Sequence, residues 1–447
     1  METTQVDYTN KDQVIKFIEA NSRNVTPFVK EYRGDRKIRK LQVGYRENYQ
    51  NNLKTIEAER LVINLQRKIV ETAASFLLAE PVSISANDPE NENGQRILKT
   101  LKKNRINNKL LEFAKVVMSE TMAVFIFSEA GTDKEIKARM YTSDNGKYTP
   151  EYDVYGDLVA FYWEFVIDEV SHLWIFTDEY IHKYSGPGSS DLKYLGSDTH
   201  SFGVIPVVFN EQPEPEWYDV KEMIDRIEMI LSKLAGSNNY FAFPILKLKG
   251  STVKNKDGKE EGLIDISDDG KSILLGVAEK NGQIVEADAD FLQRDTGVQS
   301  IELEMKFLKE FIFNISQTPD LSFDNVKGIG TISGRALELM LQDAINKAKS
   351  KQGQYRTVIE RIINVVKNGM GIKDEELEFD IDFNLSIPRD IAEEIKALVD
   401  ANGGYPVMSQ ESSVSKSPYT KDVKTEIDQI QKETAQRSSR SLVLEDE

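Results

Sequence analysis

A chain of 447 residues, 40% hydrophobic and 29% charged, is long enough for two or three structural units with real cores. The absence of cysteine excludes disulfides, thiolate metal sites and cysteine nucleophiles. The formal net charge of −17 argues against a surface that grips DNA broadly, because such binding rests on neutralising phosphates, so any DNA contact is expected at local lysines.

The segment Met1 to Gln13 is polar and acidic and lacks the basic and apolar regions of a secretory signal, which predicts a cytoplasmic protein. Residues 1–130 read as mostly helical. Asn10 is a plausible N-cap before Val14, Phe17 and Ile18, with Gln13 three residues on as in a capping box. Leu61, Leu65, Ile69 and Ala73 recur every four residues, predicting a helix over Glu57 to Leu78 that Pro81 closes. A further helix is predicted over Lys109 to Thr121, running into a buried strand at Ala123 to Phe127.

Residues 131–210 are dense in Tyr, Phe, Trp and Val, punctuated by Asp144-Asn145-Gly146, Tyr155-Gly156-Asp157 and Ser185-Gly186-Pro187-Gly188. This is the signature of antiparallel hairpins, with strands at Leu158 to Val166 and Leu173 to Thr177. Residues 216–240 carry Trp217, Val220, Ile224, Ile227, Leu231 and Leu234 at alternating steps of three and four. That is the stripe of a helix packed lengthwise on another. Residues 243–291 return to β structure, with hairpin signals at Asn255 to Gly258, Asp268-Asp269-Gly270 and Asn281-Gly282.

Residues 297–316 form a helix with two apolar faces. Ile301, Met305, Leu308, Ile312 and Ile315 make one, and Leu303, Phe307 and Phe311 make the other. Such a helix is buried on two sides. Residues 317–331 form a glycine-containing loop. A long helix is expected over Ser333 to Asn368, kinked or exposed at its polar middle, Lys349 to Gln354. Alternation from Leu377 to Ile387 predicts a strand. Helices are expected from Arg389 to Ala401 and over 419–437, with the last ten residues disordered.

No catalytic constellation stands out. His172, His182 and His200 do not share metal-ligand spacing and read as structural or surface residues. Gly328 to Gly334 precedes a helix, yet Arg335 stands where a phosphate loop needs its lysine beside Ser/Thr. The pairs Asp268-Asp269, Glu375-Glu376 and Asp380/Asp382 offer carboxylates for Mg²⁺, but they sit in patterns typical of a solvated face.

The order of the parts carries more information. Phe76 to Val82 is similar to the end of the N-terminal helix of tailed-phage portal proteins, although Ala79-Glu80 stand where that family often has Gly-Lys. Ile205-Pro206-Val207-Val208-Phe209-Asn210 resembles its stretch before the first stem helix, and Asp219 to Leu234 resembles that helix. Ile315-Ser316 with Thr318-Pro319-Asp320 is similar to the motif before the tunnel loop. Ser333-Gly334-Arg335-Ala336-Leu337 is similar to the opening of the tunnel helix. Phe379 to Pro388 and Tyr419 to Ile427 resemble the returning wing strand and a C-terminal helix. The resemblance, to the siphophage type, spans nearly the whole chain in order.

The resemblance implies an α+β portal fold. It has an α/β wing (1–215), stem helices (216–242 and 297–316), a small β-rich clip (243–296) and a tunnel loop (317–332). A long kinked tunnel helix (333–370), a wing strand return (371–390), a helical crown (391–437) and a tail (438–447) complete it. It implies a homo-oligomeric ring, usually of twelve subunits, at one capsid vertex in the virion. Double-stranded DNA enters and leaves through its channel. No cofactor, metal or membrane is implied, because a separate terminase large subunit supplies the motor. The other implied partners are a head-completion adaptor and the major capsid and scaffolding proteins. Candidate DNA-facing residues are Asn325, Lys327, Gly328, Gly330, Arg335 and Lys347, each of which also fits solvated surface. Candidate docking residues of the clip are Asp257, Lys259, Glu260, Asp268 and Asp269. Candidate stem-packing residues are Ile224, Ile227, Leu231, Ile301, Met305, Leu308 and Ile312. The competing expectations are a metal-dependent nuclease using the acidic clusters, and a scaffold or adaptor without a channel.

Overall fold

In the computed structural model the described residues are 6–40, 45–47, 53–55, 59–131, 134–188, 191–241, 246–249, 252–254, 260–262, 264–266, 273–275, 277–280, 283–286, 288–291, 298–320, 339–374, 376–384, 391–403, 407–417, 419–420 and 423–444. Helices α1 (Lys11–Asn21), α2 (Thr26–Tyr32) and α3 (Lys37–Lys40) precede the short strands β1 (Tyr45–Glu47) and β2 (Leu53–Thr55). Helix α4 (Leu65–Leu78), strand β3 (Ser83–Ala86), and helices α5 (Glu92–Lys103) and α6 (Ile106–Glu120) follow. Next come strands β4 (Met122–Ala130), β5 (Glu135–Tyr141), β6 (Lys147–Tyr152), β7 (Leu158–Ile167), β8 (Val170–Phe176), β9 (Tyr180–Gly186), β10 (Lys193–Thr199) and β11 (Val207–Glu211). Helix α7 (Lys221–Phe241) leads through short strands, from β12 (Leu246–Lys249) to β19 (Asp288–Phe291), to α8 (Val298–Ile315). The last elements are α9 (Gln342–Gly369), β20 (Phe379–Asp382), α10 (Ile391–Asn402), α11 (Gln410–Ser415) and α12 (Val423–Leu444).

The chain divides into two compact units. The first comprises Met1–Val29, Gln66–Glu216 and Ser316–Glu447; the second comprises Lys30–Leu65 and Trp217–Ile315.

In the first unit, a five-stranded antiparallel sheet runs in the order β10-β9-β8-β7-β6, and a three-stranded sheet in the order β11-β4-β5. Period-two alternation on β7 sends side chains to opposite faces. Phe161, Trp163 and Phe165 pack with Val124, Ile126, Val207 and Phe209 of the smaller sheet. Ala160 and Tyr162 face the other way, onto Val14 and Ile18 of α1. Asn10 caps α1 as expected, accepting from the N–H groups of Asp12 and Gln13. The Gln13 side chain reaches back to the Asp7 N–H at 3.0 Å, and not to that of Asn10. The turn at Asp144-Asn145-Gly146 requires its glycine: φ is +142°, and a Cβ there would lie 2.2 Å from the Glu164 carbonyl oxygen.

Behind the small sheet, α6 buries Phe113, which stacks on Phe125 at 4.8 Å. Tyr355 of α9 meets Phe113 edge-on. Strand β20 pairs antiparallel with β3, joining Phe379 to Ala86 across nearly three hundred residues of sequence.

Several expectations are corrected. Helix α4 begins at Leu65, not Glu57. Residues 59–64 before it are not helical, and the N–H groups of Leu61 and Ile63 donate instead to Ser232 Oγ (2.8 Å) and Glu228 Oε1 (2.9 Å) of α7. By contrast, the polar middle of α9 agrees with the sequence reading: the helix is continuous there, and Lys349, Ser350, Gly353 and Gln354 are exposed. The returning strand is limited to Phe379–Asp382; 377–378 and 383–384 are not strand, and 385–387 of the expected strand lie outside the described residues. Helix α12 extends to Leu444, over most of the tail expected to be disordered; no Gly or Pro interrupts it.

In the second unit, the β insert is a set of antiparallel pairs. Thr252–Lys254 pairs with Glu260–Gly262, Ile264–Ile266 with Ile273–Leu275, and Val277–Lys280 with Gln283–Glu286. These flank the three hairpin signals read from the sequence. Strands β12 and β19 close the insert by pairing with each other.

Candidate functional site

The three histidines make the kind of local contacts expected of structural residues. His172 stacks on Phe165, His182 Nδ1 lies 3.1 Å from the Tyr194 hydroxyl, and His200 Nε2 lies 3.0 Å from the Thr177 carbonyl oxygen. Among the described residues, no group of three His, Asp or Glu side chains could hold a metal ion. Asp380 and Asp382 are exposed on β20, while Ile381 between them is buried. No described helix is long and apolar enough to cross a membrane.

The candidate functional surface is built on α7 and α8, which pack on each other. On α7, Ile224 and Ile227 are buried as expected; Leu231 is half-buried, and Ile230 takes the deeper position. Trp217 stacks on Tyr32 at 5.5 Å just before the helix. On α8, Ile312 is buried, and Ile301, Met305 and Leu308 are half-buried along the same side. The guanidinium of Arg226 donates from Nη2 to Glu304 Oε1 at 2.7 Å and joins the two helices at their rim.

Among the described residues, the second apolar face of α8 has no such cover. Leu303 is 54% exposed, Phe307 47% and Phe311 52%, and the two phenyl rings stack on each other at 6.4 Å. Apolar residues scattered singly on a surface are ordinary, whereas a contiguous stripe marks an interaction surface.

A second side of α7 carries charge that the sequence pattern did not reveal. Arg36 is fully buried; its Nε lies 3.7 Å from Glu228 Oε1 and its Nη1 3.7 Å from Glu31 Oε1. Lys221 Nζ reaches Glu31 Oε2 at 2.6 Å. Burial pushes the Glu228 carboxyl up, opposed by the Ile63 N–H and by Arg36. Burial likewise lowers Arg36, opposed by Glu228 and Glu31. Glu228 sits beside Ile227 in a position that reads as solvated face, so its burial against residues 30–65 left no sequence signal.

In the first unit, a polar cluster surrounds the points where the chain leaves at Glu216 and returns at Ser316. Lys347 Nζ contacts Glu216 Oε2 at 2.7 Å and donates to the Ser316 carbonyl oxygen at 2.9 Å. Lys351, one turn further along α9, contacts Glu216 Oε1 at 2.5 Å. Burial raises the Glu216 carboxyl, but Lys347 and Lys351 outweigh it and hold it below the usual carboxylate range. The side chain of Lys347 is only 11% exposed. Lys347, expected as a phosphate contact, is thus engaged by Glu216 and Ser316, where the chain leaves and re-enters the first unit. The other expected DNA-facing residues, Asn325, Lys327, Gly328, Gly330 and Arg335, lie outside the described residues, as do Asp257, Lys259, Asp268 and Asp269. Glu260 lies in the strand Glu260–Gly262.

The family described as "Phage portal protein, SPP1 Gp6-like" matches the chain over residues 14–440. No curated protein matches it. Solved structures similar to it include chains of gene transfer agent (GTA) particles. The neck of an empty particle computed with C6 symmetry is 12% identical with a TM-score of 0.43, covering 77% of this chain and 87% of that one. The virion of the native particle is 10% identical with a TM-score of 0.44, covering 89% and 96%. The neck of the native particle computed with C12 symmetry is 11% identical with a TM-score of 0.40, covering 78% and 88%.

Proposed function

The chain belongs to the phage portal protein family, SPP1 Gp6-like, whose members are structural subunits of the portal ring in phage particles, and from that premise we propose that α7 and α8 are its stem. The observation that supports this most directly is the double face of α8. One side packs on α7, and Leu303, Phe307 and Phe311 are left for a neighbouring copy. A heterologous contact, in which each copy offers a different surface to each neighbour, gives a ring when the rotation between copies closes.

In this proposal twelve copies line a channel for double-stranded DNA at one capsid vertex, after assembly in the host cytoplasm. Residues 243–296 form the clip, where Asp257, Lys259, Glu260, Asp268 and Asp269 dock the terminase large subunit and later a head-completion adaptor. Residues 317–332 form the tunnel loop, with Lys327 the foremost transient phosphate contact beside Asn325, Gly328, Gly330 and Arg335. The rest of the ring meets the major capsid and scaffolding proteins. The subunit itself performs no catalysis; the motor chemistry belongs to the terminase. An acidic wall suits this role, because tight phosphate binding would stop DNA from sliding.

Purified protein is expected to run as a ring with a central hole in negative stain, about 610 kDa for twelve copies of a 50.8 kDa chain. A stable monomer under all conditions would count against the proposal. Divalent-metal-dependent cleavage of DNA by the purified chain would instead support the nuclease.

A further inference from the structure

Charge is unevenly placed along this chain. Between Asn93 and Leu111 stand six basic residues (Arg96, Lys99, Lys102, Lys103, Arg105 and Lys109) and no Asp or Glu. The net charge of −17 includes that +6, so the remainder carries −23. The stretch covers most of α5 and the start of α6. On α5, Gly94, Ile97 and Leu101 are buried, which turns Arg96, Lys99 and Lys103 to the opposite, exposed side, with Lys102 beside them. Arg105 is exposed in the corner between the helices, in a left-handed conformation with φ 54°.

The corner is held rigidly. The Asn104 side chain pairs with the free edge of β5 as another strand would, donating from Nδ2 to the Ile136 carbonyl oxygen (2.9 Å) and accepting from the Ala138 N–H (2.8 Å). Lys109 Nζ donates to the Ala138 carbonyl oxygen at 2.6 Å. This places Lys137 and Arg139, exposed on alternate positions of β5, against the same corner. Glu135 there is shared between Lys103 and Lys137. Among the described residues, Arg96, Lys99, Lys102 and Arg105 make no ion pair. Lys102 and Lys103 also suit the negative end of the α5 dipole. That effect fades within the last turn and accounts for neither Arg96 and Lys99 nor the cations of β5.

We propose that the α5–α6 corner, with the outer face of β5, is a binding site for the phosphate backbone of duplex DNA, separate from the channel contacts assigned above. Three features select this ligand. The exposed cations on α5 step by three or four residues, roughly 4.5–6 Å along the helix, which suits a row of phosphates. The exposed side chains between them, Gln95, Asn107 and Asn108, are polar. A protein partner would be met by an apolar centre within the patch, which this surface lacks. No aromatic residue occurs between Asn93 and Leu111 on which an unpaired base would stack, so the recognition is of backbone and not of single strands.

The test uses the full-length assembled protein and a labelled duplex of about 30 base pairs. Binding is followed by fluorescence anisotropy from 50 to 200 mM NaCl, comparing the parent with Arg96→Gln/Lys99→Gln/Lys102→Gln. Each phosphate contact contributes about 0.9 to the slope of log affinity against log salt. Losing three flattens the slope by about 2.7, so over that range the affinity of the parent falls roughly 40-fold more than that of the variant. Equal slopes overturn the proposal, as does a parent ring that binds no duplex. Loss of rings by the variant in negative stain also overturns it, by making the patch a contact between copies. Lys99→Arg/Lys102→Arg is expected to keep the parent slope. Ring formation by the parent is scored separately, so failure of the portal assignment and failure of this site are distinct results.

Discussion

Replacing both Phe307 and Phe311 by Asp tests the assignment of α8 to a neighbouring copy. In one chain these rings are 47% and 52% exposed. A phenylalanine buries on the order of 200 Å², so roughly 100 Å² of each remains for a partner to cover. At ~25 cal/mol per Å² that is about 2.5 kcal/mol per ring and about 5 kcal/mol for the pair. The introduced carboxylates add the cost of burying unpaired charge. Each subunit contact should therefore weaken by at least about 10³-fold, since ~1.4 kcal/mol is a factor of ten. Sedimentation and light scattering are expected to show a folded 50.8 kDa subunit in place of the ring, with unchanged far-ultraviolet circular dichroism. Lys306→Ala, at an exposed position of the same helix whose partner Glu310 is 4.0 Å away, serves as the control and is expected to leave the ring intact. Rings of parental size from the double variant would refute the reasoning, because the stripe would then face solvent in the assembly. An unfolded variant would refute it too, because the rings would then belong to the subunit's own core.

Lys347→Met is expected to lower the urea midpoint by the equivalent of roughly 3 kcal/mol, because it strips Glu216 and the Ser316 carbonyl of a buried partner; pairing it with Glu216→Leu should recover much of that loss. Glu216 also makes the first unit acid-sensitive. Its folded carboxyl is held below the ordinary 4.5, so its contribution is complete above the unfolded value and is lost as pH falls through the folded one. Urea titrations from pH 7 down to 3 should therefore show a steeper loss of stability in the parent than in Glu216→Gln. Lys327→Glu is expected to leave rings intact while slowing packaging or ejection in an infection assay; lost assembly would make the loop structural.

The architecture was legible wherever one residue type carries one meaning. The hairpins of the insert follow from Asn255 to Gly258, Asp268-Asp269-Gly270 and Asn281-Gly282, because glycine supplies the backbone that tight turns need. The turn between β7 and β8 left no such trace: Asp168 and Glu169 adopt φ of 49° and 64° without any glycine. The spacing of Leu61 and Leu65 suited a helix, yet the N–H groups of Leu61 and Ile63 bond Ser232 and Glu228 instead of a preceding turn. Propensity set by neighbours lost there to a partner more than 160 residues away. The apolar stripes of α7 and α8 were legible because they are periodic. Arg36, Glu228 and Lys347 were not, since a charged side chain looks the same in sequence whether water or a buried partner neutralises it.

That ambiguity decides how an acidic protein handles a polyanion. Lys347 and Lys351 are cations on a helix expected to face DNA, but both are already engaged by the buried Glu216, at 2.7 and 2.5 Å. Releasing either for a phosphate would take one of its two partners from a buried carboxylate, which costs stability. Phosphates are therefore left to cations that water solvates in the free protein, such as Arg96, Lys99 and Lys102. Exchanging counterions for phosphate there leaves no carboxylate uncovered, and the contact breaks as readily as it forms. In a ring of many copies such contacts recur around the axis, and together they hold a duplex that any one of them would release.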